Sequence, residues 1–557
     1  MLILPFFIYM PVIGSERILL ERHKWMIIFI LIMMTSIKQW ILFFEDLIGN
    51  AGSRERSINL DMLQLQPQDL SDLDNPFMEV EVWQTIKDLP PDKAPGPDGF
   101  TGRFYRSCWH IIKGDLMMAL TALYNGDQRM LGMLNSAYLT LIPKKPDAIR
   151  VGDYRPISLV HSFAKLITKI LANPLAPKLN ELVSTNQSAF IQRRCIQDNF
   201  FLVQQTARFL HHQKDPRILL KLDISKAFDS VQWPFLLEVL SHLGFGDRWR
   251  NILCGLLFTA STQVMVNGVP RVSISHQRGL RQGDPLSPML FIIVMDCLNA
   301  LISRASSEGL LQPLARRALP HRMSLYVDDV VLFVRPLASD LIMIKEILEL
   351  FGDATGLRTN IQKCSFSPIQ CTNAEISTVK EEFHCEKQDF PLNYLGLPLS
   401  LRKLTMGQLQ HILDKLADKL PGWKAALMHP AGRLILVRAV LTAISIHLLI
   451  ALDVPKGLIK AIDKIRRAFL WKGKKEVNGG HCAVAWSKDC RPLELGGLGI
   501  HNLELLSWSL RMRWLWLQQT QPDKPWAGFK FQVHNNVKAL FLAAVTTNVG
   551  SGMNTLF

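Results

Sequence analysis

Three aspartates carry the chemistry this sequence could perform. Asp223 closes the run Ile218-Leu-Leu-Lys-Leu-Asp223, and Asp328 and Asp329 stand side by side in Leu325-Tyr-Val-Asp-Asp-Val-Val-Leu-Phe333. Both runs are hydrophobic and β-rich, so each acid falls at or beside a turn. A carboxylate ending a buried strand is costly without a partner, and a cation is the simplest one. Three hard oxygen donors on a rigid sheet suit two Mg2+ ions, or Mn2+ in their place, which bind through few carboxylates and complete their shells with substrate phosphates. The pattern points to two-metal nucleotidyl transfer. Asp229, six residues beyond Asp223, reads instead as a helix-start cap.

The elements that must position these acids follow from periodicity and punctuation. Gly279-Leu-Arg-Gln282-Gly283 is a Gly-rich turn that lets backbone approach a ligand. Pro288 to Leu301 is apolar and long enough for a buried helix, and a further helix is expected near Leu341 to Phe351. Strand, helix, hairpin and helix make an α+β unit, with helices on one face of a small antiparallel sheet and the acids on the open face. Upstream, residues 90–99 hold four prolines and two glycines and must form a turn-rich loop. Leu141-Ile-Pro-Lys-Lys145 reads as a strand entering a basic loop. The stretch from Ile157 begins extended and becomes helical until Pro174, which should kink it at about 3 kcal/mol. Beyond Leu399 the spacing is helical: Leu409, Ile412, Leu413, Leu416 and Leu420, then Arg433 to Leu452. In Leu458 to Leu470, Ile462, Ile465 and Phe469 form one stripe and Lys460, Lys464 and Arg467 another.

Composition narrows the partners. Across 557 residues, 48% are hydrophobic and the formal net charge is +15, which supports large cores and a field that attracts polyanions. Nine cysteines occur without a Cys-x-x-Cys pair, which fits a reducing, intracellular setting, nuclear or cytoplasmic. Cys482 and Cys490 with His481 and His501 match no standard zinc spacing. The apolar runs Met1–Gly14 and Trp25–Ile37 are shorter than the roughly 18–20 residues that span a bilayer. Charged residues, not a cleavage site, follow the first run, so residues 1–75 read as a connector or remnant and no membrane association is expected.

The order of the blocks resembles the palm of reverse transcriptases. Their wording resembles enzymes of plant non-LTR (LINE-type) retrotransposons, without a recognisable endonuclease or ribonuclease H domain. The likeness begins at Lys93-Ala-Pro-Gly-Pro-Asp-Gly99 and Asp153-Tyr-Arg-Pro-Ile-Ser-Leu159. It runs through the three acidic and Gly-rich blocks to Gly356-Leu-Arg-Thr-Asn-Ile-Gln-Lys363 and Tyr394-Leu-Gly-Leu-Pro-Leu399. It implies a right-hand polymerase with fingers at 76–210, palm at 211–400, the reverse transcriptase domain at roughly 135–400, a helical thumb at 401–475 and a truncated region at 476–557. RNA template, DNA primer and deoxynucleoside triphosphates are the implied partners.

The resemblance also implies roles. Asp223 and Asp328 would bridge both ions, helped by the Ile224 carbonyl, with Asp329 as a looser ligand or an orienting neighbour. Phe228 would exclude a ribose 2′-hydroxyl, Gln282 and Gly283 would meet the nascent pair, and Lys144 (or Lys145) and Arg155 would grip the triphosphate. Lys363 would protonate pyrophosphate, Tyr394, Leu395 and Gly396 would form a primer grip, and Arg193 and Arg194 would face template phosphates. Val327, Pro174, Arg193 and Gln197 depart from the family's usual alanine, arginine, glycine and histidine. A catalytically degenerate copy that only binds nucleic acid is the alternative to an active enzyme. An RNA-dependent RNA polymerase is disfavoured by Phe228 and by Tyr-Val-Asp-Asp.

Overall fold

The structure, a computed structural model, describes residues 38–529 apart from 53, 318, 421–426 and 478–480. The two apolar amino-terminal runs lie outside the described residues. Residues 38–48 form helix α1. Beyond it, Ile58, Leu60, Leu63, Leu70 and Leu73, from the stretch read as a connector, are buried in the main core. Helices α2 (Glu79–Asp88), α3 (Gly102–Ser107) and α4 (Trp109–Tyr124) flank the Pro-Gly-rich loop as expected.

Strands β1 (Ser136–Pro143) and β2 (Tyr154–Val160) precede β3 (Arg217–Asp223), and β4 (Ser261–Val266) and β5 (Val269–Ser275) follow it. The first sheet has the order β2-β1-β4-β5, with β1 and β4 parallel and the other pairs antiparallel. Between β2 and β3 lie α5 (Ser162–Leu182) and α6 (Ile196–Gln213). Pro174 does not end the helix. The helix runs through both Pro174 and Pro177, with Leu171, Leu175 and Leu179 fully buried along it. Burial of several leucines at about 1.5–3 kcal/mol each outweighs the hydrogen bond each proline forfeits.

The acid-bearing sheet contains β6 (Met323–Tyr326), β7 (Asp329–Val334), β8 (Ser365–Ile369) and β9 (Glu386–Lys387) in the order β6-β7-β3-β8-β9. It is antiparallel except for the edge pair β8–β9. Period-2 alternation assigns its faces. Ile218, Leu220 and Leu222 of β3, with Val330, Leu332 and Val334 of β7, enter the main core. Over that face lie α8 (Ser287–Ser307) and α9 (Ala338–Thr355), which follow the short helix α7 (Ala227–Ser230) in the chain.

On the opposite face Leu219, Val331 and Phe333 enter a second core, while Lys221, Asp223 and Asp329 continue the same rows. The sheet is therefore covered on both sides at one end and charged only at the other. A wholly open face is not what forms.

The second core joins α6, the short antiparallel hairpin of β10 (Leu392–Tyr394) and β11 (Leu397–Leu399), and four carboxy-terminal helices. These are α10 (Gln410–Asp418), α11 (Pro430–Ala451), α12 (Lys456–Lys472) and α13 (Leu503–Thr520). A π-helical turn at Val437–Leu441 interrupts α11. α8 and α11 are long and apolar enough to cross a membrane. Here each packs into a core, which gives the same composition a globular reason.

Candidate active site

Asp223 ends β3 directly opposite Asp329, the first residue of β7. Tyr326 pairs with Asp329 across the β6–β7 hairpin, leaving Val327 and Asp328 as a two-residue turn. Val327 has φ 57°, a left-handed setting that costs a β-branched residue about 1–2 kcal/mol. Such strain persists only where the surroundings over-determine it. Here the Val327 N–H donates to Gln187 Oε1 at 3.3 Å, and the side chain packs on the main core. The turn holds Asp328 at the exposed tip beside the two paired acids.

Their mutual proximity has an electrostatic signature. Loss of hydration holds the Asp328 and Asp329 carboxyls above the usual range. Asp329 and Asp223 push Asp328 further up, as Asp223 does Asp329, while Arg155 and Lys221 act in the opposite direction. Among the described residues no three His, Cys, Asp or Glu side chains converge closely enough to enclose a metal ion. The donor set is an open one, of the kind that a divalent cation completes with water and phosphate oxygens. Asp223, Asp328, Asp329 and the Ile224 carbonyl could hold it.

A loop fixes the end of β3. Asn360 N–H donates to the Asp223 carbonyl at 2.7 Å, Ser225 N–H to the Arg358 carbonyl at 2.9 Å, and Asp223 N–H to Cys364 Sγ at 3.4 Å. Ile224 bridges to Thr359 and buries its side chain. Lys363 follows on this loop with an exposed side chain.

A second wall comes from the Gly-rich turn. Phe228 stacks on Phe291 of α8, ring centroids 4.4 Å apart and planes at 16°. The Phe228 carbonyl accepts from Leu280 N–H at 2.7 Å, and that of Val231 from Gly279 N–H at 2.8 Å. Gly279 has φ 83°, and a Cβ there would come 2.6 Å from the Asp229 carbonyl oxygen. Only glycine suits that close approach. The Gln282 carbonyl accepts from Ser158 N–H at 2.8 Å, tying the turn to β2, and its Nε2 donates to Asp229 Oδ2 at 3.5 Å. Gly283 has φ 110°. Arg155 is exposed on β2; Lys144 Nζ donates to the Gly152 carbonyl at 2.9 Å, and Lys145 pairs with Asp153 at 3.2 Å.

The family model described as "Reverse transcriptase (RNA-dependent DNA polymerase)" matches residues 142–399, the span that holds both walls of this site. Residues 142–399 form a reverse transcriptase domain. Curated relatives come from non-LTR retrotransposons. The chain is similar to the Transposon TX1 uncharacterized 149 kDa protein of Xenopus laevis, 27% identical over 77% of this chain and 32% of that protein. It is also similar to the Pol polyprotein of the type-2 retrotransposable element R2DM of Drosophila melanogaster, 26% identical over 79% of this chain and 42% of that one. The chain thus spans less than half the length of these relatives. A solved telomerase from Candida albicans, in complex with a fragment of telomeric RNA, covers 75% of this chain and 65% of its own at 12% identity. Its TM-score of 0.34 is too low to bear on the site.

Within the reverse transcriptase domain, several expected positions are placed differently. Arg194 does not face a template phosphate. Its guanidinium donates to the carbonyls of Ser184, Gln187, Asn180 and Val183 at 2.6 to 3.0 Å, fixing the turn after α5. Arg193 is exposed, and its φ of 65° accounts for the glycine usual there. The Tyr394 ring is fully buried, with its hydroxyl 3.1 Å from Ser324 Oγ, so a primer grip here has only the Leu395-Gly396 turn to offer. His447 of α11 accepts from Gln197 Nε2 at 3.2 Å through Nδ1, and its Nε2 donates to the Leu395 carbonyl at 3.0 Å, linking that turn to α6 and α11.

Asp229 is not a helix cap. It sits against Gln282, and loss of hydration pushes its carboxyl up to about 7. Asp229 thus has a different role from the one its position suggested, and Phe291 carried no sign of one. Asp229 had a signal in its adjacency to Phe228, whereas Phe291 looks like any core aromatic of a buried helix.

Proposed function

We propose that this chain is an RNA-directed DNA polymerase of a non-LTR retrotransposon, which extends a DNA primer with deoxynucleotides along an RNA template. The observation that carries it is the strained turn that holds Asp328 beside the Asp223–Asp329 pair inside a reverse transcriptase domain. In this reading the β1–β2 sheet belongs to the fingers, the acid-bearing sheet to the palm and the carboxy-terminal helices to the thumb. Two Mg2+ ions, when bound, lower the cost of charge on the attacking hydroxyl and the leaving pyrophosphate.

The chain's own residues do the rest. Arg155 and Lys144, both exposed near β2, attract and orient the triphosphate. Phe228, backed by Phe291, presents a flat wall to the sugar, and Gln282 offers its amide to the nascent pair. Lys363, exposed on the loop bonded to Asp223, would donate a proton to departing pyrophosphate. The exposed row Lys460, Lys464 and Arg467 on α12 suits a duplex backbone. Primer extension on poly(rA) primed with oligo(dT) tests the reading, with thymidine incorporation expected in Mg2+ or Mn2+. A purified, folded protein that binds the primed template and incorporates nothing in either metal would establish the degenerate alternative.

A further inference from the structure

The Pro-Gly-rich loop at 90–99 takes no part in the site above, yet it is closely fitted to the fold. A Cβ on Gly96 would come 2.3 Å from the Val160 carbonyl oxygen at the end of β2. Asp98 Oδ2 accepts from the Ser162 N–H at 3.0 Å and from its hydroxyl, capping α5 across a long sequence distance. Ser162 Oγ also meets the Tyr105 hydroxyl at 2.8 Å. These contacts account for Gly96 and Asp98, but not for Lys93.

Lys93 lies on the rim of a pocket between this loop and the first turn of α5, which Lys165 also lines, together with Phe100, Thr101, Tyr105 and Ser162. Lys165 is half-buried. Burial and the neighbouring Lys93 charge hold its ammonium below the usual lysine range, and Asp284 opposes them only through space. No carboxylate among the described residues forms an ion pair with either lysine. Two ammonium groups that repel each other, one of them partly desolvated and neither neutralised, form a place that an anion relieves.

We propose that this pocket holds a backbone phosphate of the template RNA strand between Lys93 and Lys165. The identity of the strand rests on the polymerase reading. The phosphate chemistry rests on the two lysines and on a net charge of +15. The pocket adjoins Val160, while Arg155 stands five residues back along β2, about 17 Å in an extended strand. In this proposal the two basic positions serve different phosphates.

The test is equilibrium binding of a single-stranded RNA oligonucleotide to the full chain, without nucleotide, over a salt series. Lys93→Ala and Lys165→Ala should each weaken binding about three- to tenfold at low salt. The double alanine variant should flatten the slope of log affinity against log salt by about 0.7, the loss of one phosphate contact, and each single variant by part of that. Lys165→Arg should keep most of the affinity. Lys93 is exposed, so its variant does not threaten the fold. Unchanged affinity and slope in both alanine variants would overturn the site. Unchanged RNA binding with a raised KM for deoxynucleotide would assign the pocket to the triphosphate and overturn the template assignment. Because RNA binding is read without synthesis, a wild-type protein that fails to incorporate nucleotide overturns the polymerase reading alone.

Discussion

Two hairpins of the same length do opposite work in this molecule. Tyr326-Val327-Asp328-Asp329 and Tyr394-Leu395-Gly396-Leu397 each join two short strands through two central residues. In the second, φ is 48° at Leu395 and 79° at Gly396, and glycine takes one of the two left-handed positions. Its tyrosine is wholly buried, and its turn is tethered to His447. In the first, a β-branched valine takes the left-handed position at φ 57°, and the turn presents an exposed carboxylate next to two others. Each turn thus holds one non-glycine residue in the left-handed region, Leu395 or Val327. Only the first puts a β-branched residue there and joins it to like charges, a combination that function explains and stability does not.

Substitutions that break this contrast should rank accordingly. Asp328→Ala should reduce incorporation by about a thousandfold or more, since it removes an acid at the tip, with electrostatic terms of this class worth several kcal/mol; single-turnover extension reads it. Gly396→Val would put a β-branched residue at a left-handed position of the second hairpin, as Val327 is in the first, and should cost about 1–2 kcal/mol in urea unfolding. A cost near zero would show that a β-branched left-handed residue does not distinguish the two turns. Tyr394→Phe removes the buried contact with Ser324 and should cost about 1 kcal/mol by the same measurement.

A pH slope offers a test of a different kind. The Asp229 carboxyl is raised from 3.8 to about 7, so the folded state holds its proton more tightly than the unfolded chain. Its contribution is fully present below about pH 4 and is lost as pH rises through about 7. Asp229→Asn should remove that part of the decline in stability between these limits, which denaturation at pH 4, 6 and 8 would reveal.

Local pattern made the acid-bearing strands, the Tyr-x-Asp-Asp turn, and helices α8 and α9 legible, because period and turn chemistry are properties of neighbouring residues. What escaped depends on partners far along the chain. β1 pairs in parallel with β4, and no local signal announces that contact. Arg194 looks like a phosphate ligand until four backbone carbonyls surround it. Pro174 looks like a break until the buried leucines on either side hold the helix together. Phe291 matters only because Phe228, in a different block, lies flat on it.

The most direct test of the acids' role compares wild-type protein and Asp328→Ala on one RNA template with one DNA primer, recording template–primer binding and deoxynucleotide incorporation in the same preparation. Wild-type protein should bind and extend, and the variant should bind with similar affinity and extend nothing. Equal extension by both would contradict the assignment of this turn as the centre of the chemistry.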